Sequence, residues 1–249
     1  MSLLYNVIER TVLFREARKL IEPTEMPAAD PVLGNPPEIV YRWNTFGKKH
    51  GRLVEDVMTK VIQAHSGWAP ASQRRFKCDT DKTKKLIDRI AINRRNGVAI
   101  FVECKRNLGN VSGPYLSSIN AYNEWCENKG SDIAKEIGFN PHQSLVKFVV
   151  FNAYGAEEDG RNVKGIPVLR PKDLPNVFGL PVLEAFEEFN SVVQSAILEH
   201  EAFRGFSGFM ESTGADISTS REVSQIPAQE TPEQFRRRIG QTLDQLASS

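Results

Sequence analysis

Residues 86–106 read LIDRIAINRRNGVAIFVECKR, and the fold turns on how this stretch pairs with itself. Two runs rich in branched residues, 86–93 and 98–106, flank Arg94-Arg95-Asn96-Gly97. Asn-Gly between such runs is a strong hairpin signal. Side chains alternate along a strand, so Glu103 and Lys105 point the same way. A two-residue turn pairs Arg95 with Val98 and sets Asp88 opposite Lys105. A four-residue turn pairs Asn93 with Val98 and sets Asp88 opposite Glu103. Both registers bring Asp88 to the face of Glu103 and Lys105, whereas a three-residue loop does not. Cross-strand neighbours lie roughly 4.5–5.5 Å apart at Cβ, close enough for two carboxylates to share a divalent cation. Charged groups on apolar strands are costly unless paired or bound to metal. The plainer alternative is a buried ion pair of Lys105 with either acid. Glu-x-Lys alone says little, since Glu127-Asn128-Lys129 repeats it within a polar helical stretch.

Upstream, the apolar stripe Leu53, Val54, Val57, Val61 and Ile62 predicts a helix over about 47–65, with Glu55 beside the stripe. RRFKCD (74–79) reads as a short strand. Downstream, a helix is expected over 115–138 and a nearly continuous apolar strand, LVKFVVFNA, over 145–153, as in the middle of a sheet. GIPVLRP (165–171) adds a candidate last strand, and 181–204 an amphipathic helix. An N-terminal helix over 3–21 precedes a proline-rich surface stretch. After Gly205 the chain turns polar and aperiodic, so a single domain over 1–206 is followed by a flexible linker, 207–230. Thr231-Pro232-Glu233-Gln234 then combines an N-cap, an N1 proline and a capping-box glutamine. Phe235, Ile239, Leu243 and Leu246 form one stripe on the helix expected over 231–249. So short a helix must dock on the body, another subunit or a partner.

The bulk composition is that of a soluble globular protein: 249 residues, 40% hydrophobic and 25% charged. No apolar run approaches the roughly 18 residues of a membrane span, and the N-terminus reads as an amphipathic helix rather than a signal peptide. Three cysteines (Cys78, Cys104, Cys126) without a CxxC pair, and four scattered histidines, argue for a reducing cytoplasm and against a zinc site. The net charge of +1 hides an uneven distribution. Residues 74–106 hold eleven basic and four acidic side chains, net +7, which leaves −6 elsewhere. Such a block suits a polyanion-binding face, though a solvated charged face would read the same.

Ile87-Asp88, thirteen residues, then Val102-Glu103-Cys104-Lys105, preceded by a helix carrying Glu55, resembles the PD-(D/E)xK nuclease superfamily. The likeness covers about residues 45–155. It rests on the element order, helix, three strands, helix, strand, as much as on the short motif. Ile87 stands where many members have proline. The resemblance implies an α/β (mixed α+β) fold: a restriction-endonuclease-like core, its mixed β-sheet flanked by helices, with extra N- and C-terminal helices. It implies Mg²⁺ held by Asp88, Glu103 and the Cys104 backbone carbonyl, with Mn²⁺ as an expected substitute. Lys105 would orient or deprotonate the attacking water, and Glu55 would reach a metal or its water. The expected products are a 5′-phosphate and a 3′-hydroxyl.

Chain length suits an orthodox type II restriction endonuclease, a homodimer cutting double-stranded DNA beside a cognate methyltransferase. A weaker likeness is Asn120-Ala121 on the following helix, since Asn suits bidentate adenine recognition. Glu124 stands where such helices supply an arginine. Arg106 and Asn107, with Asn110 and Ser112, follow the active-site strand and are candidates for phosphate or base-edge contacts. Arg74, Arg75, Arg94 and Arg95 are candidates for backbone contacts, which position DNA without reading it. Tyr115, Tyr122 and Trp125 are expected in the core. Competing readings are a repair or recombination nuclease recognising DNA structure, a toxin or defence nuclease, and a non-catalytic DNA-binding protein with a relic site.

Overall fold

The computed structural model describes residues 83–111, 113–154, 165–179 and 230–248, with scattered positions elsewhere, most of them between 51 and 80. The expected helix 3–21, the proline-rich stretch, Arg74, Arg75 and residues 207–229 lie outside the described residues, as does most of 181–204, whose described positions Glu187 and Ser191 are helical.

A five-stranded mixed sheet forms the centre. Its strands are β1 (Ala69–Pro70), β4 (Arg89–Asn93), β5 (Val98–Lys105), β6 (Leu145–Asn152) and β7 (Val168–Leu169), in the spatial order β1-β4-β5-β6-β7. A separate two-stranded ribbon joins β2 (Cys78–Thr80) to β3 (Thr83–Lys85). β4 and β5 are antiparallel with Asn93 paired to Val98, which selects the four-residue turn. Gly97 closes that turn at φ +66°, and a Cβ there would stand 2.9 Å from the Gln143 carbonyl oxygen. β6 runs parallel to β5, and β7 parallel to β6.

The expectation for 74–79 is corrected by this topology. Residues 74–77 lie outside the described residues; Cys78 and Asp79 are in a strand, but within the separate ribbon, and the described strand beside β4 is Ala69–Pro70. Pro70 suits an edge position, where no ladder donor is required.

The parallel β5–β6 step needs a crossover, supplied by α1 (Gly113–Ile137). Ile119, Tyr122, Cys126, Ile133 and Ile137 pack it on Ala99 and Phe101 of β5 and Phe148 and Val150 of β6. Gly138 at φ +88° ends the helix, and Phe139 N–H donates back to the Ala134 carbonyl at 2.8 Å. Strand residues of the other parity, Ile100, Val102, Val149 and Phe151, are equally buried. Both faces of β5 and β6 are therefore covered, which explains why the two segments read as unbroken apolar runs.

The opposite layer holds the helical positions between 51 and 62, where Val54, Met58 and Ile62 are buried one turn apart, and two later helices, α2 (Leu174–Phe178) and α3 (Pro232–Ser248). α3 begins with the expected capping box: Thr231 N–H donates to Gln234 Oε1 at 2.9 Å, and Gln234 N–H to Thr231 Oγ1 at 3.2 Å. It docks on the body. Ile239 and Leu243 are fully buried, Phe235 meets Trp68, and Arg236 donates to the Asn96 carbonyl at 3.0 Å. Lys147 of β6 pairs with Asp244 at 2.9 Å, which fixes α3 to the face opposite α1. No helix among the described residues is long and apolar enough to cross a membrane.

Candidate active site

Unequal strand lengths build the site. β4 begins at Arg89, opposite Val102, while β5 continues through Glu103, Cys104 and Lys105 with β6 still paired on its other side. The edge of β5 facing β4 is thus open for three residues. Asp88, in the bend before β4, fills that notch: its Oδ2 accepts the Cys104 N–H at 2.8 Å in place of a ladder bond. Ala153 N–H donates to the Lys105 carbonyl, so residue 105 turns its backbone to β6. By alternation, residue 104 turns both N–H and carbonyl to the notch.

Glu103 and Lys105 rise from one face of β5. Lys105 Nζ lies 2.6 Å from Glu103 Oε1 and 4.0 Å from Asp88 Oδ2. The sequence-predicted trio therefore converges around one point, with the Cys104 carbonyl turned toward it. Glu103 is only 5% exposed, and its Oε2 meets no protein donor among the described residues.

The electrostatics follow from burial. Desolvation, with repulsion from Asp88, pushes the Glu103 carboxyl up to about 7 despite the Lys105 pair. Asp88 is also raised by burial, against the pull of Lys105 and the Cys104 N–H. Burial opposes the Lys105 charge, but the contact with Glu103 and the nearby Asp88 outweigh it, and its pKa rises. Burial lifts the Cys104 thiol well above its ordinary range, so its side chain is a neutral thiol, neither nucleophile nor thiolate ligand.

Glu55 is engaged from the other layer. Arg89 Nε donates to its carbonyl at 2.7 Å, and Arg89 Nη1 lies 3.2 Å from Glu55 Oε2 while donating to the Asp88 carbonyl at 2.6 Å. Arg89 pairs with Val102, on the face away from Glu103. Glu55 thus reaches the notch through Arg89, from the side of Cys104. Sequence reading gave Arg89 no role. Its signal is only a basic residue beside a candidate acid.

The remaining candidates scatter. Arg106 is exposed immediately after Lys105, and Asn107 caps the 3₁₀ turn Leu108–Asn110 by accepting from Gly109 N–H at 2.9 Å. Asn120 is exposed on α1. Arg94 and Arg95 are exposed at the β4–β5 turn, about 26 Å along the strand from Lys105 at roughly 3.3 Å per residue. Arg94 donates to the Ile137 carbonyl at 3.2 Å, satisfying the C-terminal end of α1. Of the three aromatic residues expected in the core, Tyr122 packs on Phe148 and Trp125 on Phe101. Tyr115 departs from the expectation: it is 56% exposed in the first turn of α1, its ring centroid 5.3 Å from Lys105 Nζ.

Asn152 is a buried polar residue that sequence reading passed over. It ends β6 opposite Lys105, and its Oδ1 accepts the Leu108 N–H at 3.0 Å. The available signal was a polar residue closing an apolar strand.

Among the described residues no three histidine, cysteine or acidic side chains gather as a ready-made metal cage. The notch offers two carboxylates and a backbone carbonyl instead. Comparison with family models, curated proteins and solved structures finds no match.

Proposed function

We propose that the chain is a Mg²⁺-dependent endonuclease of the PD-(D/E)xK type, hydrolysing DNA phosphodiester bonds to 5′-phosphate and 3′-hydroxyl ends. The reading extends to a type II restriction enzyme acting on duplex DNA. One observation carries it: Asp88, Glu103 and Lys105 meet in a notch left by the shorter β4, with the Cys104 carbonyl facing the same gap. A buried ion pair would need one acid; a second acid raises the cost, and Glu103 is pushed up by burial first and by Asp88 in addition. The order of elements from the helical positions near Glu55 through β6 supports the same assignment.

The donor set fits a hard divalent cation. Glu103 Oε2 is a carboxyl oxygen without a protein donor among the described residues, and Asp88 and the Cys104 carbonyl add further oxygens. Mg²⁺ takes such ligands and keeps several waters. Bound there, it would supply Lewis-acid activation of the phosphate and of water. Lys105, freed from Glu103 Oε1, orients the attacking water and offsets charge building on the phosphate oxygens. Arg89 holds the Asp88 carbonyl and Glu55 together and so fixes the bend that aims the Asp88 carboxylate. Tyr115, its ring 5.3 Å from Lys105 Nζ, and Arg106 are exposed beside the centre and open to a DNA strand.

The test is a plasmid digest by the purified chain with Mg²⁺, with Mn²⁺ and with EDTA. Discrete bands that vanish in EDTA are expected, and Asp88→Ala or Lys105→Ala should reduce cleavage by on the order of 10³-fold. A smear, or cutting confined to flaps or junctions, would replace restriction by a repair role. No cleavage with either metal would refute the nuclease reading.

A further inference from the structure

Asn152 closes β6 after the apolar run Phe148-Val149-Val150-Phe151, and it is 0% exposed. Pairing with Lys105 across the parallel ladder puts its side chain on the face that carries Glu103 and Lys105, diagonal to Glu103. Its amide orientation is determined. Oδ1 accepts the Leu108 N–H at 3.0 Å, and a backbone N–H can only donate, so Nδ2 must point the other way. Nδ2 is buried and meets no protein acceptor among the described residues, just as Glu103 Oε2 meets no protein donor. A two-proton donor and a carboxyl oxygen thus stand unmet on adjacent strands of one face.

Such groups are rarely left unmatched, because each costs about 1–3 kcal/mol when buried without a partner. Packing alone would be served at this position by valine or leucine, as in the rest of the strand. One small species would satisfy both groups at once: a water whose oxygen accepts from Nδ2 and whose proton goes to Oε2.

We infer that Asn152 is a positioning residue of the centre, its Nδ2 holding a single water that in turn holds Glu103 Oε2. Through Oδ1 the same side chain anchors Leu108, in the loop that leaves Lys105. One amide therefore sets both the rotation of the Glu103 carboxylate and the path of the chain beyond the lysine. The consequence for cleavage rests on the nuclease reading; the water site does not.

Two measurements on the full chain test this. In a metal-free crystal structure at about 1.5 Å, a solvent peak should lie within about 3.2 Å of both Nδ2 and Oε2. No such peak, or an amide turned away from Glu103, overturns the inference whether or not the protein cuts DNA. The second compares Asn152→Ala with Asn152→Asp. The aspartate keeps the volume and the acceptor for Leu108 N–H but, when ionised, has no proton to give. Both variants should lose about 10- to 100-fold in kcat for Mg²⁺-dependent cleavage, with KM for DNA changed less than about twofold. Wild-type kcat in Asn152→Asp, with loss only in Asn152→Ala, would reduce Asn152 to an anchor for Leu108. A wild-type protein that cuts nothing would count against the nuclease reading alone, and the solvent peak would still decide the role of Asn152.

Discussion

Replacing Glu103 with glutamine should make the metal-free protein more stable while removing its activity. The Glu103 carboxyl is buried beside Asp88 and sits at about 7 in the folded chain, against 4.5 for the ordinary side chain. Between those values the folded state holds a proton that the unfolded state has released. Stability therefore falls as pH rises from about 4.5 to about 7 and stays reduced above. The gap of about 2.5 pH units, at about 1.4 kcal/mol each, sets the cost at about 3 kcal/mol above neutrality. Glutamine resembles the protonated acid in size, keeps an oxygen for Lys105 and never ionises. Glu103→Gln should match the wild type near pH 4.5 and exceed it by about 3 kcal/mol at pH 8. Urea unfolding in EDTA across pH 4.5–8.5 measures this directly. Adding Mg²⁺ should then raise the wild-type midpoint and leave the variant unmoved, because binding stabilises only the protein that holds the ion. A variant less stable than wild type at pH 8, or a pH-independent difference, would refute the account of Glu103 as a strained buried charge.

Metal-dependent cleavage should rise with pH as Glu103 ionises, with its acidic limb moving to lower pH as Mg²⁺ is increased, since the cation favours the carboxylate. An initial-rate titration at several Mg²⁺ levels checks it; a limb insensitive to Mg²⁺ would place the controlling group elsewhere. Gly97→Ala should cost about 2 kcal/mol through its positive φ, and more if the Gln143 carbonyl cannot retreat from the added Cβ. Chemical denaturation reads it, and an unchanged midpoint would contradict the turn geometry. Leu243→Ala should destabilise by about 3 kcal/mol, because this α3 residue is wholly buried against the body. A loss below about 1 kcal/mol would mean that α3 contributes little to the fold.

Much of this architecture was legible because local rules and burial agreed. β5 and β6 are covered on both faces, so their apolar runs had the length and branched composition of central strands. Asn-Gly marked the hairpin, and the parity of its register placed Asp88 with Glu103 and Lys105 before the turn length was known. The Thr231–Gln234 capping box announced α3, whose docking surface could not be read, because contacts such as Lys147–Asp244 join residues far apart in the chain. The edge strand was hidden for a related reason. Ala69–Pro70 is two residues long and contains a proline, so only pairing with Ile92 and Ala91 makes it a strand. Tyr115 occupied a helical position that suited the core, but it lies in the first turn of α1, where it meets Lys105 at the end of β5 rather than the apolar part of the sheet.

The basic block shows where sequence proximity misleads. Its net charge of +7 over residues 74–106 invites the picture of one polyanion-binding face. The hairpin separates its members instead: Arg94 and Arg95 stand at the turn, one strand length from the notch, with Arg94 engaged at the end of α1. Arg89 is turned to the layer of Glu55, where it braces the Asp88 bend rather than facing solvent. Lys105 is balanced by two acids. Among the block's described side chains near the notch, Arg106 is the exposed one. The affinity of DNA drawn to the notch should therefore respond to Arg106 far more than to Arg94 or Arg95. The same division explains why, on the nuclease reading, the centre would constrain the bond broken more closely than the DNA chosen. The groups that would break the bond are fixed by one ladder and its notch. Those that could choose a sequence, such as Asn120, stand on a separate helix surface whose contacts no strand register dictates.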